Sequence, residues 1–147
     1  MKKLLHHFLL LFIFSGSAHA IEPVYSTILA KDTRSWDDGQ FEYPEGTAQI
    51  IVQKITITPG DEDFYLSEHC HPIPLAAYVL SGSVHVAERT GQYHIFSAGH
   101  AFIEVMNTWH RGKFLEKTEL IAFYAASEGT PLSVKTDDTS GFAERCN

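Results

Sequence analysis

A succession of short apolar segments, each closed by turn residues, fills the chain after residue 46. The first is rich in β-branched residues and stops at Pro59-Gly60, a strong turn signal. The segments are 50–57, 64–69, 75–80, 83–87, 92–96, 101–106, 120–126 and 132–136. None shows a convincing helical period. The pattern therefore predicts an all-β domain, built as a sandwich or a closed barrel.

The first twenty residues differ in composition from the β-rich segments that follow. Lys2 and Lys3 precede an apolar run over 4–14, and Ala18-His19-Ala20 places small residues around a cleavable bond. The run is shorter than the roughly 20 residues that a membrane-spanning helix needs. We therefore expect a secretory signal peptide over 1–20, cleaved after Ala20, in preference to an uncleaved anchor. The protein would then be periplasmic or secreted.

The rest of the chain divides by composition into three parts. Residues 21–46 predict an N-terminal arm or edge strand, 47–136 a single β-domain, and 137–147 a C-terminal tail. The formal net charge is −7, and loss of the two signal lysines would make it −9. A surface this acidic repels phosphate backbones and anionic lipid. We therefore expect no nucleic-acid partner and, after cleavage, no membrane partner.

One hairpin can be predicted in detail. If Arg89-Thr90 is a two-residue connection, Val84 lies opposite Ile95 and His85 lies opposite His94. In this register the aliphatic residues face the core and both histidines face solvent. The two histidines are therefore excluded as candidate ligands.

Three other histidines form a candidate metal site. His69 and His71 are separated by one residue, so on a strand their imidazoles point to the same face. His110 lies about forty residues further on and must be brought to them by closure of the barrel. One divalent metal ion could then accept a nitrogen from each ring at about 2.0–2.1 Å.

The spacing of these histidines resembles that of the cupin family. The first family motif is His-x-His leading to a glycine turn, here His69 to Gly82, and the second is a glycine followed eleven residues later by histidine, here Gly99 to His110. The resemblance covers roughly residues 50–126. It implies a single-domain jelly-roll barrel (a double-stranded β-helix) that binds one divalent ion of Fe, Mn, Ni or Zn. It also implies a small-molecule substrate or ligand, and a homodimer paired through sheet edges.

Two positions depart from the family pattern. Leu75 stands where the first motif commonly has a glutamate ligand, and Phe114 stands where the second often has an asparagine. The site is then either a three-histidine site, as in cupins resembling thiol and diketone dioxygenases, or one completed by Glu104. Glu104 is the only charged residue in the otherwise apolar segment 101–106. Its carboxyl group either points inward, at or beside the metal, or points outward into solvent.

Three aromatic residues are candidates for the wall of a ligand pocket: Tyr78, Phe102 and Trp109. Core filling explains each of them equally well, because small barrels are filled by side chains. Cys70 and Cys146 are either two free thiols or a disulfide, which an exported protein could form. Cys70 lies between two ligand histidines, so its side chain should point out of the barrel, where the tail carrying Cys146 could reach it.

The resemblance favours a metal-dependent oxidoreductase of the dioxygenase type. Three neutral imidazoles would leave positions open on iron, manganese or nickel for dioxygen and a chelating substrate. Zinc would instead favour hydrolysis or isomerisation. The alternatives are a non-catalytic protein of the cell envelope that binds a metal or small ligand, and a purely structural barrel.

Overall fold

A computed structural model describes residues 23–60 and 64–147. The signal peptide predicted over 1–20 and its cleavage site lie outside the described residues. Ten strands follow in chain order: β1 Ala48–Ile57, β2 Phe64–Tyr65, β3 His69–Cys70, β4 Leu75–Ser81, β5 Ser83–Glu88, β6 Tyr93–Ser97, β7 Ala101–Ile103, β8 His110–Phe114, β9 Thr118–Ser127 and β10 Val134–Lys135. A short 3-10 helix, Ala143–Arg145, lies in the tail. Within the described part of the chain, no helix is long and apolar enough to cross a membrane.

The strands form two antiparallel sheets. The first has the order β1-β9-β4-β7, and the second has the order β10-β3-β8-β5-β6 with β2 paired to β8. Strands that are neighbours in a sheet are often distant in sequence, as in a jelly roll. The prediction of an all-β fold is confirmed.

The core lies where the inner faces of the two sheets meet. On β9, buried Leu120, Ala122 and Tyr124 alternate with the more exposed Ile121 and Phe123, which is the period of two expected of a half-buried strand. Further into the barrel, the rings of Phe96 and Phe102 stack with their centroids 3.9 Å apart.

The glycine that ends the first motif closes the tight turn between β4 and β5. Gly82 has a φ of +74°, which L side chains rarely adopt. A Cβ atom at this position would lie 2.5 Å from the carbonyl oxygen of Lys117 and 2.6 Å from the hydroxyl of Thr118. Glycine is therefore required both by the backbone conformation and by the close approach of the segment that begins β9.

The predicted register of the β5–β6 hairpin is wrong by one residue. The connection has three residues and ends at Gly91 with a φ of +91°, a common hairpin geometry. Val84 consequently lies opposite Phe96 instead of Ile95. Ile95 is exposed, and His94, which is exposed as well, stacks on Phe96 with the ring centroids 4.4 Å apart.

Segments outside the strands contact the barrel before β1 and after β10. Among the described residues before β1, the one strand-like pairing is an isolated bridge, Arg34 to Gln40. The backbone N–H of Trp36 donates to the carbonyl oxygen of Ile103 on β7. At the other end, a disulfide joins Cys146 to Cys70 on β3.

Candidate metal centre

Two neighbouring strands bring the three predicted histidines together. His69 on β3 lies directly opposite His110 on β8, and His71 follows β3. One ring nitrogen of each residue lies within 4.8 Å of the other two. The ring centroids are 4.5–5.1 Å apart. The three side chains therefore share one centre.

Backbone carbonyl groups fix the orientation of each imidazole. The Nδ1 atom of His69 lies 2.8 Å from the carbonyl oxygen of Ser67, and that of His110 lies 2.9 Å from the carbonyl oxygen of Thr108. The Nδ1 atom of His71 is held in the same way, 2.7 Å from the carbonyl oxygen of Leu132. A carbonyl only accepts, so each Nδ1 carries the proton and each Nε2 keeps its lone pair. This is how metal-binding histidines are oriented in proteins.

The environment keeps the rings neutral. Burial is the main cause that lowers the pKa of all three histidines, and it holds the pKa of His71 well below its ordinary value. The neighbouring His110 ring lowers the pKa of His69 and of His71 further. The Nε2 atom of His110 is buried and has no hydrogen-bond partner among the described residues. A buried acceptor without a partner is costly, and a metal ion would satisfy it.

Glu104 lies inside the barrel and borders the same cavity as the three histidines. It does not belong to the group of side chains whose candidate ligand atoms lie within 4.8 Å of one another. Its Oε1 atom accepts hydrogen bonds from the indole N–H of Trp36 at 2.7 Å and from the backbone N–H of Val105 at 2.9 Å. Burial raises the pKa of this carboxyl group, and the two donors oppose that shift. Oε1 is thus engaged by Trp36 and Val105, which holds the carboxyl group in place beside the histidines.

A cavity of about 100 Å³ opens beside the histidines. Its remaining walls are almost entirely apolar and include Leu75, the residue at the position of the family's glutamate, together with Val86, Phe102, Phe114 and Leu120. The hydroxyl-bearing ring of Tyr124 completes the wall, with its centroid 6.2 Å from that of His71. The volume is below the 300–1,000 Å³ typical of drug-sized ligands, so the cavity suits only a small molecule.

Of the three aromatic residues predicted to line a pocket, only Phe102 borders this cavity. The prediction for Tyr78 is wrong because β4 alternates, so that Ala77 and Val79 are buried while Tyr78 faces outward. The prediction for Trp109 is also wrong. Its buried ring packs on the other side of the second sheet, with Cys70 and Val134.

The disulfide lies on that same outer side. Cys70 and Cys146 are joined by an S–S bond of 2.06 Å, and Cys70 is fully buried. Next to it, the guanidinium of Arg89 lies 5.0 Å from the ring centroid of Trp109 and forms an ion pair with Glu68 at 2.6 Å. The tail is therefore fastened directly behind the strand that carries His69.

Sequence reasoning missed three residues around the centre. Tyr124 could have been found from the alternation of β9, which turns Leu120, Ala122 and Tyr124 inward. Glu88 lies opposite His110, and its Oε1 atom is buried without a partner among the described residues. Trp36 carried no local signal, because its bond to Glu104 joins residues 68 positions apart.

Comparison with solved structures supports a cupin fold. DMSP lyase DddQ from Ruegeria pomeroyi DSS-3 is similar over 59% of this chain and 43% of its own, with 14% identity and a TM-score of 0.50. KdgF from Halomonas sp. is similar over 60% of this chain and 81% of its own, with 21% identity and a TM-score of 0.46. An oxalate oxidase in complex with the substrate analogue glycolate is similar over 59% and 46%, with 14% identity and a TM-score of 0.47.

The similarity to the DMSP lyase shows the fold alone. The TM-scores of the other two structures are below 0.5, and no conclusion is drawn from them. The chain matches less than half the length of the DMSP lyase. No protein-family model matches the sequence, and a search of curated proteins gives no significant match. The similarity to the DMSP lyase and the two-sheet topology together establish a cupin fold. Within this fold lies a three-histidine cluster.

Proposed function

We propose that this protein is an exported, metal-dependent cupin enzyme that oxidises a small molecule at the centre formed by His69, His71 and His110. The observation that carries the proposal is the common orientation of the three rings. Each Nδ1 is bonded to a backbone carbonyl, and each Nε2 is left for a ligand. A structural barrel without a metal gains nothing from burying the unpartnered Nε2 atom of His110 beside two further imidazoles.

The donor set fits a divalent transition metal ion. Three neutral imidazoles suit iron, nickel, manganese or zinc, and they leave coordination positions open. A redox-active ion would supply electron transfer and a docking point for an oxygen-containing or sulfur-containing substrate. The assignment to an oxidoreductase rests on resemblance to three-histidine cupins, since the residues of the site are equally suited to zinc, which would favour hydrolysis or isomerisation.

The protein's own residues would bind a substrate in a dry, narrow space. Leu75, Phe102 and Leu120 line the cavity with apolar surface, and polar interactions are stronger where water is scarce. Burial raises the pKa of Tyr124, so its hydroxyl stays protonated at neutral pH and can donate a hydrogen bond to a bound oxygen atom. Glu104, held by Trp36, places a second polar group at the same wall.

The small cavity also favours a second candidate function. A space of about 100 Å³ admits few substrates, and Leu75 provides no fourth ligand. A non-catalytic protein that captures a metal ion or a very small ligand in the cell envelope would have these properties. Export itself is part of the proposal, and the disulfide between Cys70 and Cys146 supports it because such bonds persist in oxidising compartments.

Oxygen consumption tests the enzyme proposal most directly. The iron-loaded protein would be assayed against a panel of thiols, diketones and catechols, with manganese, nickel and zinc forms in parallel. We expect substrate-dependent oxygen uptake with at least one compound, lost in His71→Ala. The matched control is His85→Ala, which removes a histidine outside the 4.8 Å group and should keep the activity.

The opposite result would favour the second candidate. If no metal form turns over any compound while the protein binds metal tightly, the enzyme proposal is overturned and the binding role remains.

A further inference from the structure

Strand β3 carries the first of the candidate ligands on very little regular structure. It is two residues long, and its register with β8 consists of the single pair His69 and His110. His71 lies beyond its end. Strands in globular proteins usually have at least about three residues, so this one holds its side chains weakly by sheet hydrogen bonds alone. Other contacts must fix the histidines at the separation that one metal ion requires.

The residue between these two histidines is covalently bonded to the tail. Cys70 is fully buried, and a disulfide joins it to Cys146. Cys70 follows His69 directly and precedes His71 directly. The backbone of neither histidine can therefore shift far while the disulfide is intact.

The tail also contacts the segment that leads to the third candidate ligand. The backbone N–H of Asn147 donates to the carbonyl oxygen of Asn107 at 2.8 Å, and the carbonyl oxygen of Asn147 accepts from the backbone N–H of Trp109 at 3.1 Å. Trp109 precedes His110 directly, and its buried ring packs with Cys70. The tail is thus bonded to the backbone on both sides of the second sheet strand pair that carries the histidines.

One further hydrogen bond connects these two segments to each other. The backbone N–H of Asn107 donates to the carbonyl oxygen of His71 at 2.9 Å. The disulfide and three backbone hydrogen bonds therefore link the tail with the segments that carry all three histidines. Neither Cys146 nor Asn147 borders the cavity, so these contacts leave the space beside the histidines open.

We propose that the disulfide between Cys70 and Cys146 positions the metal centre, so that the oxidised protein binds a divalent metal ion tightly and reduction of the bond lowers that affinity. The reductant is a dithiol, either a small molecule or a thiol–disulfide oxidoreductase. It supplies two electrons and two protons, so the S–S bond becomes two thiols while the dithiol becomes a disulfide. Cys146 is partly exposed, and the attacking thiolate reaches the bond from its side.

Preorganisation is the physical reason for the dependence. Metal–nitrogen bonds of about 2.0–2.1 Å tolerate little displacement of the three rings. While the disulfide is intact, the rings are held in place before the ion arrives, whereas in the reduced protein the ion must order the tail and β3 as it binds. The inference rests on the metal centre of the proposed function and not on the oxidation reaction, so it applies equally to a metal-binding protein without catalysis.

Titration with Zn²⁺ in competition with a chromophoric chelator tests the proposal. The Kd is measured for the oxidised parent, for the parent reduced by a dithiol that is then removed without air, and for Cys146→Ser. A further variant, Asn147→Pro, keeps the disulfide and removes the backbone N–H that donates to Asn107. Its matched control is Asn147→Ala, which keeps that N–H.

A variant that is less stable for another reason separates loss of positioning from loss of stability. Val79→Ala removes methyl groups from the buried core of the first sheet, at a residue that does not border the cavity. Circular dichroism shows that each protein is folded at the temperature of the titration. If Cys146→Ser does not fold, the reduced parent and Asn147→Pro test the same positioning.

We expect the Kd for Zn²⁺ to rise about 10-fold to 100-fold in Cys146→Ser and in the reduced parent, the range typical of contacts that orient metal ligands. Reoxidation of the parent should restore the lower Kd. Asn147→Pro should show a smaller rise. Asn147→Ala and Val79→Ala should bind Zn²⁺ as tightly as the oxidised parent.

Three results would overturn the proposal while leaving the metal centre intact. They are a reduced parent or a Cys146→Ser variant with the Kd of the oxidised parent, an equal loss of affinity in Val79→Ala, and an Asn147→Pro variant that binds as tightly as Asn147→Ala. An oxidised parent that binds no Zn²⁺ would overturn the metal centre itself, and this inference with it.

Discussion

The Nδ1 atom of His71 lies 2.7 Å from the carbonyl oxygen of Leu132, which joins the metal centre to the segment that leads into β10. Strand β10 pairs with β3, and its Val134 packs with the disulfide-bonded Cys70. The orientation of one candidate ligand therefore depends on a segment that the disulfide region holds in place.

Removal of the disulfide should lower stability strongly. The bond closes a loop between residues 76 positions apart, and in the chain-entropy model such a closure contributes about 4 kcal/mol. We expect Cys146→Ser to lower the free energy of unfolding by about that amount in urea titrations. Reductant should destabilise the parent and leave the variant unchanged. Equal stability of parent and variant without reductant would contradict this prediction.

The bond between Trp36 and Glu104 should stabilise the arm against the barrel. Hydrogen bonds to charged groups contribute about 1.5–3 kcal/mol, and this one reaches a buried carboxyl group. We expect Trp36→Phe to lower the free energy of unfolding by at least that amount, since packing is lost as well. In a Glu104→Leu background the same change should cost less. A double-mutant cycle with no coupling would contradict the assignment.

Metal-free protein should lose stability on acidification. Burial lowers the pKa values of His69, His71 and His110 in the folded state from their ordinary value of 6.5. As the pH falls below 6.5, the unfolded chain binds protons first, so this stability is present above pH 6.5 and lost as the pH falls through the folded values. We expect the unfolding free energy of chelator-treated protein to decrease from about pH 7 to about pH 5, and less steeply in His71→Asn.

The control for His71→Asn is a variant that removes a histidine outside the three-histidine cluster. His85→Asn removes a histidine from the outward side of β5 and should keep the slope of the parent. A parent that becomes more stable on acidification would show that the three rings are not buried as described.

A carboxylate introduced at position 75 should tighten metal binding. Leu75 borders the cavity beside the three histidines, at the position where the resemblance places a glutamate. We expect Leu75→Glu to destabilise the metal-free protein, because it buries a charge, and to increase the rise in melting temperature that metal produces. Leu75→Gln is the neutral control. A smaller metal-induced rise in Leu75→Glu than in the parent would contradict the geometry of the cavity.

The sequence predicts the parts of this molecule that depend on local spacing. The turn at Gly82 and the inward pair His69 and His71 follow from positions a few residues apart. The same alternation, applied to β4, would also have placed Tyr78 outside. The predicted hairpin register is wrong because register depends on loop length, and one additional residue, Gly91, places Ile95 opposite His85 and leaves Ile95 exposed.

Other features depend on contacts between distant segments. No strand was predicted over His110–Phe114, because Arg111 and Lys113 interrupt its apolar pattern and Gly112 weakens it. The inward position of Glu104 is accounted for by Trp36, which comes from an arm that has no regular strand. A single sequence gives no means of pairing two such positions.

Metal analysis of the purified protein tests the central claim most directly. His110→Ala removes the ring whose Nε2 atom is buried without a partner, and His100→Ala removes a histidine from an exposed turn. The account predicts about one equivalent of a divalent transition metal in the parent and in His100→Ala, and a large loss in His110→Ala. A parent that binds no such metal after incubation with iron, manganese, nickel or zinc, or a His110→Ala variant that binds as much as the parent, would contradict it.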